Sequence, residues 1–264
     1  MSETGSDDVV LRSEGTRIRT LTLNRPATRN ALDGELHAAL LSAVRNVATD
    51  PEVRAVVVTG TGGAFSAGGD FDLIEEMQQN TDLRQTTLSR SRSLFWSLVA
   101  LEVPVIAAVN GPAVGAGATL ALLSDIVLMA EHTYLAEPRV SIGLVPGDGG
   151  AIIWPLLAGV PAARAYLFTG DRLPAEEAYR LGLVHRVVDV DSLLTEAMKL
   201  ADRLARLSPH AVRATKRALN LHLESAALAG FELVLEAESQ SFDTPELRAT
   251  VQQHSDRAKG RTDA

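Results

Sequence analysis

The chain has no cysteine. That excludes disulfides, thiolate zinc sites and a cysteine nucleophile, and it suits a reducing compartment. No apolar run approaches the roughly 20 residues that cross a bilayer. The opening residues, Met1-Ser2-Glu3-Thr4-Gly5-Ser6-Asp7-Asp8, are polar and acidic, the opposite of a secretory or transit signal. A cytoplasmic protein with no membrane partner is therefore expected. An excess of positive charge is also missing. The formal net charge of −8 argues against nucleic acid as a partner, whereas an anionic small molecule needs only a few local cations and N–H groups. His37, His132, His185, His210, His222 and His254 show neither metal-ligand spacing nor a neighbouring nucleophile motif, so no metal site is expected. No charge run, low-complexity segment or internal repeat interrupts the chain.

What is present is the composition of a globular protein. The 264 residues are 46% hydrophobic and 22% charged, enough for one large domain or one domain with a helical appendage. Two glycine-rich turns dominate, Ala64-Phe65-Ser66-Ala67-Gly68-Gly69-Asp70 and Gly111-Pro112-Ala113-Val114-Gly115-Ala116-Gly117. Each follows a short apolar strand-like run, 55–58 and 105–109, and each leads into a helix-like segment. A turn without bulky side chains that opens a helix exposes unpaired N–H groups at the positive end of the helix dipole. One such turn can hold an anion. Two aimed at one point could hold the oxyanion that forms when a thioester carbonyl gains charge. Small residues also serve tight turning and close packing alone.

Around the turns, strands alternate with helices. Val9-Val10-Leu11 and Ile18-Arg19-Thr20-Leu21-Thr22-Leu23 read as two short strands, the second stopped by Asn24-Arg25-Pro26. Asp33 is placed to cap a helix with the stripe Leu36, Leu40, Val44 and Val47, ended by Asp50-Pro51. A buried strand over 55–59 precedes the first turn, which leads into a helix from Phe71 to Met77. Gln78–Arg92 reads as a polar stretch before Leu94-Phe95-Trp96. Strand 105–109 feeds the second turn and a helix over Ala116–Ser124, and 126–129 and 133–135 read as further strands. Such units suggest α/β architecture with right-handed crossovers. From about residue 160 the pattern is helical, with Pro174, Ser208-Pro209 and Thr244-Pro245 near helix starts and an amphipathic run at Leu193–Leu207. The expected organisation is an α/β core over 1–200 and a helical region over 201–264, of the kind that packs on a neighbouring subunit.

Four segments together carry a resemblance: Leu23-Asn24-Arg25-Pro26 with Asn30-Ala31-Leu32; Ala64 to Asp70; Val109-Asn110-Gly111 with Gly115-Ala116-Gly117 and Ser124-Asp125-Ile126; and Ile142-Gly143-Leu144-Val145-Pro146-Gly147-Asp148-Gly149-Gly150. Each alone is weak, but their order and spacing are specific. Over most of its length the chain resembles the enoyl-CoA hydratase/isomerase (crotonase) superfamily. The resemblance implies a crotonase-like spiral of ββα units, with C-terminal helices that build a homotrimer or a dimer of trimers. It also implies an acyl-CoA substrate, with coenzyme A part of that substrate and no separate cofactor. The thioester oxygen would sit between two backbone N–H groups, which by position are those of Gly69 and Ala116. The loop Ala67–Asp72, with Asp70 and Phe71 in it, would lie along the CoA moiety, Ala67 near the adenine and Arg25 near the nucleotide end.

Two positions depart from the family pattern. Its hydratases position and deprotonate water with two glutamates, and here those places hold Thr119 and Arg139. Arginine does not lose its proton in proteins, and a threonine hydroxyl is far too weakly acidic, so two-glutamate hydration is not expected. Glu137 would share a face with Arg139 in an extended segment, either as a base or as an ion-pair partner. Asp148 is the stronger candidate, because several family members with other chemistries carry an aspartate in this neighbourhood. A carboxylate in an apolar acyl pocket, beside Trp154 or Phe71, would be poised to take up a proton; otherwise Asp148 caps a helix at 149–157. Arg139 could pair with Asp148 or Glu137, bind a substrate carboxylate, or lie at the surface. Contact with Asp148 would make that aspartate a poorer base. Lys216 reads as a phosphate partner or an exposed helix lysine. Val251-Gln252-Gln253-His254 stands where relatives carry an aromatic and a lysine that touch the CoA of a neighbouring subunit.

The expectation is an isomerase-type proton transfer through an enolate, with Asp148 as base and Gly69 and Ala116 as oxyanion donors. Arg25, Ala67, Asp70, Phe71, Asp72, Thr119 and Arg139 would contact substrate. Enoyl-CoA hydration is the nearest alternative. A CoA-thioester binding protein that lost catalysis with its glutamates is the alternative from another class.

Overall fold

The computed structural model describes residues 9–14 and 17–262, with side chains from 17 to 256. Strands β1 (Val9–Glu14) and β2 (Ile18–Leu23) pair antiparallel. A 3-10 turn at Pro26–Thr28 then leads into α1 (Gly34–Thr49). Asp33 caps α1, its Oδ1 accepting the N–H groups of Glu35 and Leu36 at 3.0 and 2.9 Å. Leu36, Leu40, Val44 and Val47 are all buried, each stabilising by about 1.5–3 kcal/mol. Strand β3 (Ala55–Gly60) runs through the first glycine-rich turn to α2 (Phe71–Gln79) and α3 (Thr81–Val99). Strand β4 (Val105–Val109) runs through the second, which includes β5 (Ala113–Val114), to α4 (Ala116–Leu122). There follow β6 (Ile126–Ala130), β7 (Tyr134–Ala136), a 3-10 turn at Arg139–Ile142, α5 (Gly150–Ala158) and α6 (Val160–Thr169). The chain closes with β8 (Leu173–Pro174), α7 (Ala175–Arg180), β9 (Arg186–Val188), α8 (Val190–Ala205), α9 (Pro209–Ser241) and α10 (Pro245–Thr262).

The main sheet has the order β1-β2-β3-β4-β6-β9, parallel after the first pair, and β5, β7 and β8 form a second, small sheet. A parallel sheet is covered on both faces, so its strands are continuously apolar. Here Leu21, Leu23, Val56, Val58, Ala107 and Val109 share one core with α1. Ile18, Ala55, Val57, Ile106, Ala108 and Leu128 meet Leu193, Ala197, Ala201 and Ala205 of α8 on the other face. A third core joins α2, α3, α9 and α10 through Ile74, Met77, Phe95, Phe231, Leu235, Phe242 and Leu247.

The structure adds to two of the sequence readings. Gln78–Arg92, read as a polar stretch, lies in α2 and α3 apart from Asn80. Asn80 caps α3 by accepting the Leu83 N–H at 3.1 Å, and its inner face buries Arg84 and Thr87 beside Leu88, Leu94 and Leu98, which hides the helical period. The second concerns long apolar runs. By length and composition α9 could cross a membrane, with a mean hydropathy of 1.2 over 18 residues. Ala227, Phe231 and Leu235 of α9 are buried in the third core, while Leu219, Leu221, Leu228 and Leu233 are exposed.

Candidate active site

The two glycine-rich turns meet because they are bonded to each other. The Val114 N–H donates to the Ser66 carbonyl at 3.0 Å, and the Phe65 and Ser66 N–H groups donate to the Pro112 carbonyl at 3.1 and 3.2 Å. Glycine is required at the crossing. A Cβ on Gly117 would lie 2.6 Å from the Ser66 Cβ, and one on Gly68, whose φ is +89°, 2.6 Å from the Val114 carbonyl oxygen. Asn30, fully buried, holds the first turn from behind. Its Nδ2 lies 3.0 Å from the Thr61 and Ala64 carbonyls and 3.2 Å from that of Phe65. The Ser66 hydroxyl donates to the Asn30 carbonyl at 2.7 Å. Within this frame the N–H groups of Gly69 and Ala116 find no acceptor among the described residues. Ala116 opens α4, whose first N–H groups have no partner within the helix.

Gly69 and Ala116 line one cavity of about 270 Å³. Ile74 and Met77 of α2, with Leu88, Leu94, Phe95 and Leu98 of α3, make apolar wall; Thr119, Arg139, Asp148, Glu238 and His37 are polar members of the lining. Ala67, Asp70 and Phe71 also line it, whereas Arg25 and Asp72 do not. Arg25 pairs with Asp33, which does line the cavity. Asp70 caps α2 by accepting the Asp72 and Leu73 N–H groups at 2.9 and 3.2 Å, and Asp72 is exposed in the first turn. Phe71 stacks on His254 of α10 with ring centroids 3.9 Å apart. Trp154 is buried beside Tyr166 and does not reach the cavity lining.

The polar residues gather around Arg139. Its Nε and Nη2 donate to the two oxygens of Glu137 at 2.7 and 2.6 Å. Nη2 also donates to Asp148 Oδ1 at 2.6 Å, and Nη1 lies 3.5 Å from Glu238 Oε1. Asp148 Oδ1 accepts the Thr119 hydroxyl at 3.1 Å and the Gly150 N–H at 3.2 Å as well. Its other oxygen, Oδ2, is buried without a partner among the described residues. Asp148 is not the helix cap, a place taken by Gly149 at φ +114°. The flanking glycines answer to packing: a Cβ on Gly147 would meet Glu238 Oε2 at 2.5 Å, and one on Gly149 the Phe95 ring at 2.6 Å. They let the Asp148 loop wedge between α3 and α9.

One guanidinium thus faces three carboxyl groups where charge is costly to desolvate. Burial pushes Glu137 up, against the pull of Arg139, and pushes Glu238 up to about 8. Burial alone would lower Arg139, but Asp148, Glu137 and Glu238 outweigh it and hold the guanidinium well above its ordinary value. Burial lowers His37 to about 4, so it is neutral at pH 7. Glu137 is gripped through both oxygens and lies outside the cavity lining, which leaves the ion-pair reading of that residue.

Glu238 and His37 are cavity residues that the motifs did not single out. Each carried a signal: Glu238 continues the stripe of Phe231 and Leu235, and His37 that of Leu40, Leu41 and Val44, so both polar groups were due to face inward. Lys216 is neither exposed nor free for a phosphate. Its buried Nζ donates to the Val103 carbonyl at 2.8 Å and to Asp125 Oδ2 at 2.7 Å.

The sequence model of the enoyl-CoA hydratase/isomerase family matches residues 13–261. The chain is 38% identical over 250 residues to the 2,3-dehydroadipyl-CoA hydratase of Escherichia coli (strain K12), covering 94% of this chain and 93% of that one. It is 33% identical over 239 residues to a short-chain-enoyl-CoA hydratase of Clostridium acetobutylicum, covering 90% of each. Among solved structures, an enoyl-CoA hydratase/isomerase from Mycobacterium paratuberculosis superposes with a TM-score of 0.91 at 43% identity, over 94% of this chain and 99% of that one. A monofunctional enoyl-CoA isomerase from M. smegmatis gives 0.71 at 31% identity, over 86% and 99%. The fold and the site define an α/β enzyme class with the crotonase fold. The chain belongs to the enoyl-CoA hydratase/isomerase family.

Proposed function

We propose that the protein catalyses an isomerase-type proton transfer on an enoyl-CoA, with Asp148 as the base. The observation that carries this reading is that Asp148, whose Oδ2 has no partner among the described residues, lines the same cavity as Gly69 and Ala116, whose N–H groups are unpaired. The two N–H groups receive the thioester oxygen and stabilise the charge that develops on it. The carbon next to the carbonyl then becomes acidic enough for Oδ2 to take its proton. Thr119, Arg139 and the Gly150 N–H hold Oδ1, which fixes the carboxylate's orientation. Arg139 shares its charge among Glu137, Asp148 and Glu238, so it orients Asp148 without neutralising it alone. Coenzyme A enters as part of the substrate, along the loop from Ala67 to Asp72 and towards Arg25, and no other cofactor is needed. Replacing Asp148 by Asn should lower turnover about 10²–10⁴-fold with acyl-CoA binding retained. Full activity in that variant would show that the base is another group.

Hydration is the second reading, favoured by the names of the E. coli and Clostridium relatives. The dicarboxylic acyl group in the first of those names does not suit this cavity. Arg139 and His37 are the basic residues in its described lining; the first is engaged by three carboxyl groups and the second is neutral. An uncharged acyl chain fits the apolar wall. The exposed leucines of α9 suit contact between copies of the chain, as a trimer or a dimer of trimers.

A further inference from the structure

We propose that Glu238 is the second proton-transfer group of the cavity, a neutral carboxylic acid that gives its proton to the acyl chain while Asp148 takes one. The proposal rests on the reading of Asp148 as the base. Glu238 comes from α9, far along the chain from both glycine-rich turns, and lines the same cavity. Its Oε1 faces Arg139 at 3.5 Å, the longest of the three carboxyl contacts. Its Oε2 is buried and has no partner among the described residues. Gly147 exists as glycine at this point because a side chain there would collide with Glu238, so the Asp148 loop is fitted closely against this carboxyl group.

Charge counting says which group keeps a proton. Three buried carboxylates against one guanidinium would leave two uncompensated negative charges, and like charges in one site push a proton onto one of them. Glu137 and Asp148 are held by short hydrogen bonds from Arg139. Glu238 has only the longer contact, and burial, opposed by Arg139 and aided by Asp148 and Glu137, pushes it up to about 8. His37, across the cavity on α1, is neutral and does not compete. The cavity lining therefore holds one carboxylate and one carboxylic acid, each with a buried oxygen that has no hydrogen-bond partner among the described residues.

For a 3-enoyl-CoA, Asp148 Oδ2 takes the proton from the α-carbon, and the electron pair of that bond passes into the enolate held at Gly69 and Ala116. The pair then returns to form the α,β double bond as the β,γ bond opens and the γ-carbon takes the proton from the Glu238 carboxyl group. Glu238 is left ionised and Asp148 protonated, and the proton returns through water before the next turnover. Run on a 2-enoyl-CoA with water, the same pair serves hydration: Asp148 takes the water proton as its oxygen bonds to the β-carbon, and Glu238 protonates the α-carbon. The pair would stand in for the glutamates that Thr119 and Arg139 replaced.

The test measures exchange and conversion separately in deuterated water. Glu238→Gln should still exchange the α-proton of a 3-enoyl-CoA at close to the wild-type rate, while its conversion to the 2-enoyl isomer falls at least about 100-fold. Glu238→Asp, which restores an acid, should recover part of that loss. The wild-type kcat should fall as pH rises through about 8, and this limb should be missing from the residual activity of Glu238→Gln. Full conversion by Glu238→Gln with the same alkaline limb would overturn the proposal. So would joint loss of exchange and conversion with acyl-CoA binding intact, which would make Glu238 a positioning residue. A wild-type profile that stays flat to about pH 9.5 would overturn it without any variant. Loss of exchange in Asp148→Asn reports on the base alone, so the two claims fail separately.

Discussion

Arg139 gathers three buried carboxyl groups into a cluster organised by one cation. Removing it, as in Arg139→Met, leaves Glu137, Asp148 and Glu238 buried without compensation. Such a loss costs about 3–5 kcal/mol, which urea unfolding at pH 7 would report; an unchanged midpoint would contradict the described network. His37 makes a prediction about pH. Its folded-state value, lowered by burial from 6.5 to about 4, means that only the unfolded chain takes up a proton between those limits. Stability is therefore fully present above about pH 6.5 and declines by about 3 kcal/mol towards pH 4 on this account alone. His37→Gln should flatten that part of the curve relative to wild type, and superimposable curves would refute it. At this scale the sequence was legible where residues lie within motifs. Thr119 follows the second glycine-rich turn and Arg139 lies just upstream of the segment that holds Asp148, and the structure joins both to the Asp148 carboxylate. Glu238 was hidden because its partners come from another part of the chain, and only a polar residue in an apolar helical stripe marked it.

The two turns work as one element, since each supplies backbone partners to the other and their glycines pass where no side chain fits. Gly117→Ala would push a methyl group into Ser66. Overpacking of this kind costs about 1–3 kcal/mol, and under the proposed oxyanion role of Ala116 activity should fall further as its N–H shifts; misplacement by about 1 Å can lose a hundredfold. The expected result is a kcat/KM down by more than the drop in Tm accounts for, and wild-type kinetics would show that the crossing does not set the oxyanion site. Elements with clean periods were legible, α1 above all, because its cap and its stripe agree. Helix α3 was not, because Arg84 and Thr87 occupy its buried face and Arg84 reaches Asp243 at 3.1 Å. Tertiary partners satisfy polar groups that, in sequence alone, look solvated.

Across the whole molecule, two sheets and three cores bring the turns, the Asp148 loop and α9 around a single cavity. The strand–turn–helix units were readable, but the sheet order was not. β5 and β8 are two residues each and β7 three, too short to leave a pattern, and they leave the main sheet to form their own. If the exposed face of α9 joins copies of the chain, the protein should scatter light as three or six times the chain mass. Replacing Leu228 and Leu233 together by Glu should then reduce that mass; a wild-type monomer would contradict the interface. On the proposed function this assembly converts acyl-CoA thioesters and does not merely hold them. Product analysis with a panel of 2-enoyl- and 3-enoyl-CoAs, run beside calorimetric binding, tests it most directly. The expected result is saturable binding together with a shifted double bond or an added water in at least one substrate, lost in Asp148→Asn. Saturable binding with every substrate recovered unchanged would contradict it.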